Sequence, residues 1–271
     1  WQNKVLLLAD DGDHNMPNQH MKDADSIAAV IDKCYPSFVV DRIYWDDYIP
    51  EPSASGLRYP AVTQAINDRL EEGALVVNYT GHGSANLFSH ELAWKASDMS
   101  AVKSPRLPFW ITASCDIAPF DLGDNSMGEA AILNPAGAAV GLLTTTRTVL
   151  QSYNAVIDKA FMQELFLPLE SGKEDAVGDA VRRAKNKVIS TGGDVGGNKL
   201  QFVLLGDPAL RLKLPQYRVV VDSFNGAPAS VCSQASAGGQ LTVEGHVVKR
   251  DGTLADEFAG VVYSTLFDSA V

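Results

Sequence analysis

Two short segments of this chain carry residue types able to do covalent chemistry. In Val76-Val77-Asn78-Tyr79-Thr80-Gly81-His82-Gly83-Ser84 a histidine stands between two glycines directly after an apolar run. In Phe109-Trp110-Ile111-Thr112-Ala113-Ser114-Cys115-Asp116 a cysteine holds the matching position. A thiolate attacks a carbonyl carbon, and an imidazole beside the thiol lowers its pKa or takes its proton. The pair points to acyl transfer through a thioester, with Cys115 as nucleophile and His82 as general base. A tetrahedral intermediate needs amide donors for its oxyanion, and the backbone N–H groups of Gly83 and Cys115 are the candidates. Singly, a free cysteine after an apolar strand is ordinarily core packing, and a lone histidine is ordinarily structural. Recurrence of the arrangement at two successive strand ends is what favours catalysis.

Elements that could position such a pair follow from the hydrophobic pattern. Apolar runs at Val5 to Ala9, Phe38 to Ile43, Leu75 to Tyr79, Phe109 to Ala113, Ala138 to Leu143 and Phe202 to Leu205 predict six strands. Between them Ile27, Ile31 and Cys34 recur at helical spacing, as do Val62, Ile66 and Leu70, then Val156, Ala160 and Phe161, then Val177, Val181, Ala184 and Val188. Ser126 followed by Glu129 reads as a capping box that starts a further helix just past the Cys115 segment. The alternation predicts an α/β fold, a doubly wound and mostly parallel sheet with helices on both faces. In such sheets the loops at the carboxyl ends of the strands form the ligand crevice. Neighbouring strands lie about 5 Å apart, close enough for a thiol and an imidazole just beyond adjacent strand ends to meet.

After Leu214 the pattern changes: Val219 to Val221, Leu241 to Val247 and Ala259 to Thr265 alternate with turn residues. The expected organisation is an α/β domain over 1–214 and the start of a β-sandwich over 215–271. The stretch Thr191-Gly192-Gly193-Asp194-Val195-Gly196-Gly197 lacks the Lys-Ser/Thr ending of a phosphate cradle and follows a helix, so it reads as a flexible loop.

Bulk properties narrow the partners. The 271 residues include 33 acidic and 22 basic ones, a formal net charge of −11, which repels nucleic-acid phosphates; no nucleic acid is expected as a partner. Neither a run of about 18 apolar residues nor a leader is present. The chain opens at Trp1, directly before a strand, and reads as a piece of a longer protein. Cys34, Cys115 and Cys232, odd in number and widely spaced, fit neither a disulfide framework nor a zinc-ligand pattern. Cys34, on an apolar helix face, and Cys232, in the β segment, are given packing roles.

The segments Asn78-Tyr79-Thr80-Gly81-His82-Gly83-Ser84, Ala113-Ser114-Cys115 and Leu205-Gly206-Asp207-Pro208-Ala209-Leu210 resemble the gingipain family of cysteine peptidases. The resemblance covers roughly residues 1 to 212 and implies a caspase-like catalytic fold followed by an immunoglobulin-like domain. Ala9-Asp10-Asp11-Gly12-Asp13 and Gly128-Glu129-Ala130-Ala131-Ile132-Leu133-Asn134-Pro135-Ala136-Gly137 look most like the members that act as sortases in the type IX secretion system of Bacteroidetes. That likeness implies an enzyme on the extracellular face of a Gram-negative outer membrane. It would cleave a C-terminal sorting domain from secreted cargo proteins and pass the new C-terminus to a lipopolysaccharide acceptor, alongside outer-membrane secretion components. The family also implies an acid that orients the histidine, matched by Asp11 and next by Asp10. The competing reading of Asp10, Asp11 and Asp13 is a solvated acidic turn or a structural calcium site. Tyr153 falls where gingipains place an aromatic residue beside the specificity pocket, and Gly81 and Ser114 border the expected cleft. The region around Met21 and Lys22 offers no match to the acid that holds arginine in some members. No cofactor is required for the chemistry. The competing functions are a surface endopeptidase using water and a cargo-binding scaffold without catalysis.

Overall fold

The computed structural model describes residues 1–271 apart from 13–15, 36, 55, 124, 172–174, 232–237 and 265–271, and apart from the side chains of 34 and 167–171. The roles assigned to the Cys34 side chain, Cys232 and Asp13 lie outside the described residues. The chain divides into two compact units, Trp1–Leu214 and Pro215–Val271.

The main sheet of the first unit has, among the described residues, six strands: β1 (Lys4–Ala9), β2 (Val39–Tyr44), β3 (Val76–Thr80), β4 (Phe109–Ala113), β5 (Gly141–Thr145) and β6 (Phe202–Leu205). Their spatial order is β6-β5-β4-β3-β1-β2. The first five run parallel, and β6 pairs antiparallel with β5. Among the described residues six α-helices accompany them: α1 (Gln19–Cys34), α2 (Pro60–Glu72), α3 (Ala96–Ala101), α4 (Met127–Leu133), α5 (Gln151–Ser171) and α6 (Val177–Ser190).

Successive side chains of a strand point to opposite faces, so each strand feeds two cores. Leu7, Val76, Ile111 and Leu143 pack with Ile27 and Ile31 of α1, Phe161 of α5 and Ala184 of α6. Leu6, Leu8, Val77, Trp110 and Leu142 pack with Val62 and Ile66 of α2, Met99 of α3 and Ala131 of α4. Coverage on both sides explains why these strands read as unbroken apolar runs.

Two local readings shift. β5 begins at Gly141, three residues into the apolar run, because Ala138 and Ala139 are spent on the α2–α4 core and the Trp110 indole N–H binds the Ala138 carbonyl at 3.0 Å. The glycine-rich stretch after α6 is tethered. The mostly buried Asp194 accepts the N–H groups of Gly196 at 3.1 Å and Lys199 at 2.6 Å, and Asn198 joins Asn154 and the Leu150 amide. The Ser126–Glu129 box does start α4, Ser126 Oγ accepting the Glu129 N–H and the Glu129 carboxylate accepting the Ser126 N–H at 2.9 Å.

The second unit holds β7 (Tyr217–Phe224) and β8 (Val243–Lys249), paired antiparallel with a bulge between Val221 and Ser223, and a short strand at Ala227–Pro228 beside β7. The run predicted at Ala259 to Thr265 forms no strand over 259–264, and Thr265 lies outside the described residues.

Candidate active site

Topology decides where a site can form. From β1 the chain winds to β2 on one side, then crosses to β3 on the other and continues outward, so the winding direction reverses between β1 and β3. Beyond the carboxyl ends of strands at such a switch point lies an open crevice. Asp10 and Asp11 follow β1 there, Gly81 and His82 follow β3, and Cys115 follows β4. Ala9 pairs with Thr80 and Thr80 with Ala113, so His82 and Cys115 each stand two residues beyond a paired position on adjacent parallel strands.

Glycine brings these loops together. A Cβ on Gly83 would sit 2.4 Å from Ser114 Oγ and 2.6 Å from Ile117 Cδ1, and one on Gly81 would sit 2.4 Å from Tyr79 Oη and 2.5 Å from Asp10 Cβ. The two glycines that flank His82 are therefore demanded by packing within the site itself. Ser114 and Gly81 are buried in these seams, and the Ser114 carbonyl accepts the Thr145 hydroxyl. The Ser114 hydroxyl has no hydrogen-bond partner among the described residues.

The loop carrying His82 is held from both sides. Asp10 Oδ2 accepts the His82 amide at 3.0 Å, while the His82 carbonyl accepts Tyr79 Oη at 2.5 Å and the Ser89 amide at 3.0 Å. The imidazole stacks on His90, with centroids 4.5 Å apart, and meets His20 edge-on at 5.2 Å. Three of the chain's five histidines thus converge, from α1, from the loop after β3 and, in His90, from the segment that follows that loop. Neither His20 nor His90 carries a local sequence signal that would have singled it out.

The two candidate acids differ in surroundings. Asp10, 1% exposed, also accepts the Asp11 amide at 3.1 Å; burial pushes its carboxyl well above the usual range, opposed by the His82 N–H and aided by Asp11 and Glu91. An Asp10 oxygen, a His82 ring nitrogen and a His20 ring nitrogen all lie within 4.8 Å of one another. Asp11 instead accepts the Tyr59 hydroxyl at 3.1 Å. Asp10, Asp11 and Glu91 form a second acidic group with the same 4.8 Å spread.

Cys115 is a half-buried free thiol whose sulfur lies against the Val149 backbone, 3.5 Å from the N–H and 3.4 Å from the carbonyl oxygen. The next residue, Asp116, has φ 52°, a left-handed conformation that costs a non-glycine residue about 1–3 kcal/mol. Thr148 Oγ1, donating to Asp116 Oδ2 at 2.8 Å, helps to hold this sharp turn just past the thiol.

Tyr153, half-buried in the first turn of α5, lies beside Gly196 of the tethered loop. The starts of α1 and α5 are joined through Asp23, which accepts the side-chain amides of Gln19, at 3.0 Å, and Gln151. Burial raises the Asp23 pKa against those two bonds. Deeper, Asn78 of β3 donates to Asp158 of α5 at 2.6 Å, and burial pushes the Asp158 carboxyl up to about 7.

The model of peptidase family C25 matches residues 1–213. The chain belongs to peptidase family C25. That family is the one of the gingipain-type cysteine peptidases, and the fold of this chain is gingipain-like. The crystal structure of the arginine-specific cysteine proteinase gingipain R is similar with a TM-score of 0.62 at 17% identity, over 81% of this chain and 50% of that one. A complex of the pro- and mature domains of RgpB from Porphyromonas gingivalis gives 0.60 at 16%, over 81% and 51%. A structure described as a protease gives 0.60 at 15%, over 86% and 52%. This family chain thus spans about half the length of those solved structures. A comparison with curated proteins gives no match.

Proposed function

We propose that this chain is the catalytic part of a cysteine endopeptidase in which Cys115 attacks the scissile carbonyl and His82 moves the protons. The observation that carries the reading is the standing of Cys115 and His82 at the carboxyl ends of adjacent strands in a family C25 fold. The Cys115 thiolate forms the carbon–sulfur bond as the carbonyl π electrons pass to oxygen, and the Gly83 and Cys115 N–H groups donate hydrogen bonds to the resulting oxyanion. His82, protonated by the thiol, gives its proton to the departing amine, leaving a thioester. Of the two acids, Asp10 is the better placed to stabilise the imidazolium, because it grips the His82 loop and its buried charge gains most from a neighbouring cation.

The finer reading is a sortase of the PorU kind, acting at the cell surface of a Gram-negative bacterium. In it an amine on an anionic lipopolysaccharide replaces water in breaking the thioester and so captures cargo freed from its sorting domain. Its support is the likeness of Ala9–Asp13 and Gly128–Gly137 to those sortases. Structural calcium at the acidic turn and an immunoglobulin-like second unit belong to the same reading. An acceptor held beside the thioester outcompetes water because positioning supplies an effective molarity of about 10⁵ M or more. The experiment is to incubate the full-length enzyme with a cargo protein, with and without an amine acceptor, and weigh the products. An amide adduct supports the sortase; the free acid at every acceptor concentration, native lipopolysaccharide included, leaves the endopeptidase; intact cargo refutes both.

A further inference from the structure

We propose that Asp10, His20 and His82 form a binding site for a divalent cation of the zinc type, and that the metal silences the peptidase by ligating His82. The inhibitory half rests on the reading of His82 as the general base; the site itself does not.

Geometry comes first. One donor atom from each residue lies within 4.8 Å of the other two. Zinc bonds of about 2.1 Å in a tetrahedron space the ligand atoms about 3.4 Å apart. Closing the difference takes side-chain rotation of about 1 Å. The backbones that carry the donors are already fixed to one another: Asp10 accepts the His82 amide, and the His20 carbonyl accepts Thr80 Oγ1 at 2.9 Å, which ties α1 to the end of β3. A prearranged frame of this kind is what a metal site needs.

Donor chemistry selects the cation. Two imidazole nitrogens and one carboxylate oxygen suit zinc and its transition-metal neighbours, whereas calcium and magnesium take oxygen alone. Charge supplies an independent argument. Asp10 is almost fully buried, accepts the backbone amides of Asp11 and His82, and has carboxylate oxygens of Asp11 and Glu91 within 4.8 Å. A buried carboxylate among acids is costly, and a bound dication offsets that cost directly. His82 is only half-buried, which leaves room for a water as the fourth ligand.

The consequence for catalysis is simple. A ring nitrogen whose lone pair is engaged by zinc cannot accept the Cys115 proton, so the thiol stays protonated and the peptidase idles until the metal leaves. No bond to substrate is made or broken.

Cobalt(II), a spectroscopic stand-in for zinc, tests the site without reference to activity. Titrated into the full chain and into Cys115→Ala, it should give the visible absorption of a four-coordinate nitrogen and oxygen site in both proteins, with no thiolate charge-transfer band. His20→Ala and His20→Asn, each checked by thermal unfolding, should weaken binding by at least about 100-fold, since even an outer-sphere partner is worth about 10- to 100-fold. In the active enzyme, zinc should inhibit peptide cleavage reversibly, with a chelator restoring the rate. Three results overturn the proposal: no cobalt binding, a thiolate band that disappears in Cys115→Ala, or cobalt bound equally well by the His20 variants. Zinc binding in a protein that cleaves no peptide would sink the peptidase reading and leave the site standing. Cleavage indifferent to zinc, with no cobalt spectrum, would do the reverse.

Discussion

Gly83→Ala probes the seam that sets the distance between the two reactive side chains. The added Cβ would lie 2.4 Å from Ser114 Oγ and 2.6 Å from Ile117 Cδ1, about 1 Å inside ordinary van der Waals contact. Either the Ser114 and Ile117 side chains turn away or one of the two loops moves, and both loops carry a reactive residue: His82 precedes Gly83, and Cys115 follows Ser114. Overpacking of this kind costs about 1–3 kcal/mol of stability. A misplacement of about 1 Å between reacting groups costs about 100-fold in rate, or about 2.7 kcal/mol in the transition state. The expected result is a protein that still folds, with kcat/KM for peptide cleavage and the rate of iodoacetamide labelling at Cys115, mapped by mass, both down about 100-fold. Removing the obstructing atoms should undo much of this. Ser114→Ala deletes a buried hydroxyl without a partner among the described residues and should cost little, and Ile117→Val about 0.5–1.5 kcal/mol. The triple variant should recover at least about tenfold in rate over Gly83→Ala. Wild-type rates in Gly83→Ala, or a triple variant that regains stability but no activity, would refute the claim that this seam positions the pair.

Other expectations concern single groups. Cys115→Ala should abolish cleavage with an unchanged unfolding midpoint, because alanine keeps the half-buried packing and loses the nucleophile; residual turnover at the wild-type rate rules out the assignment. Asp10→Asn should depress kcat/KM by about 100-fold or more and Asp11→Asn by less than about tenfold, since Asp10 holds the His82 loop and Asp11 binds Tyr59; kinetics showing the opposite order would return the orienting role to Asp11. Asp158 should make stability fall with pH. Its folded carboxyl titrates at about 7 against a usual value near 4, so the native state binds the extra proton and loses that advantage as pH rises from about 4 to 7, by at most about 4 kcal/mol. Asp158→Asn should flatten that slope, and urea midpoints at pH 5 and pH 8 that change as much in the variant as in wild type would exclude Asp158 as the cause.

Much of the fold was legible in the sequence because a sheet covered on both faces turns each strand into a short apolar run, and Val5–Ala9 or Phe109–Ala113 can hardly be read otherwise. The Ser126–Glu129 box was equally local, since its hydrogen bonds close within one helical turn. Cys115 and His82 stood out because glycine- and serine-bordered turns after such runs are visible residue by residue. What the sequence left open was everything carried by strand order. The preference for Asp10 over Asp11 depends on which carboxylate faces the neighbouring β3 loop, and no spacing encodes that. The same holds for His20 and His90, brought to His82 from separate elements, and for Gly81 and Gly83, whose glycine identity is dictated by atoms of Asp10 and Ser114 that are near only after β1, β3 and β4 have paired. Asp194 makes the point for loops: composition suggested freedom in the glycine-rich stretch, and one buried carboxylate gathering its amides ties it down. Local pattern determined the elements and nominated the reactive pair; the tertiary structure decided which groups surround that pair, because those contacts join residues whose separation along the chain carries no signal.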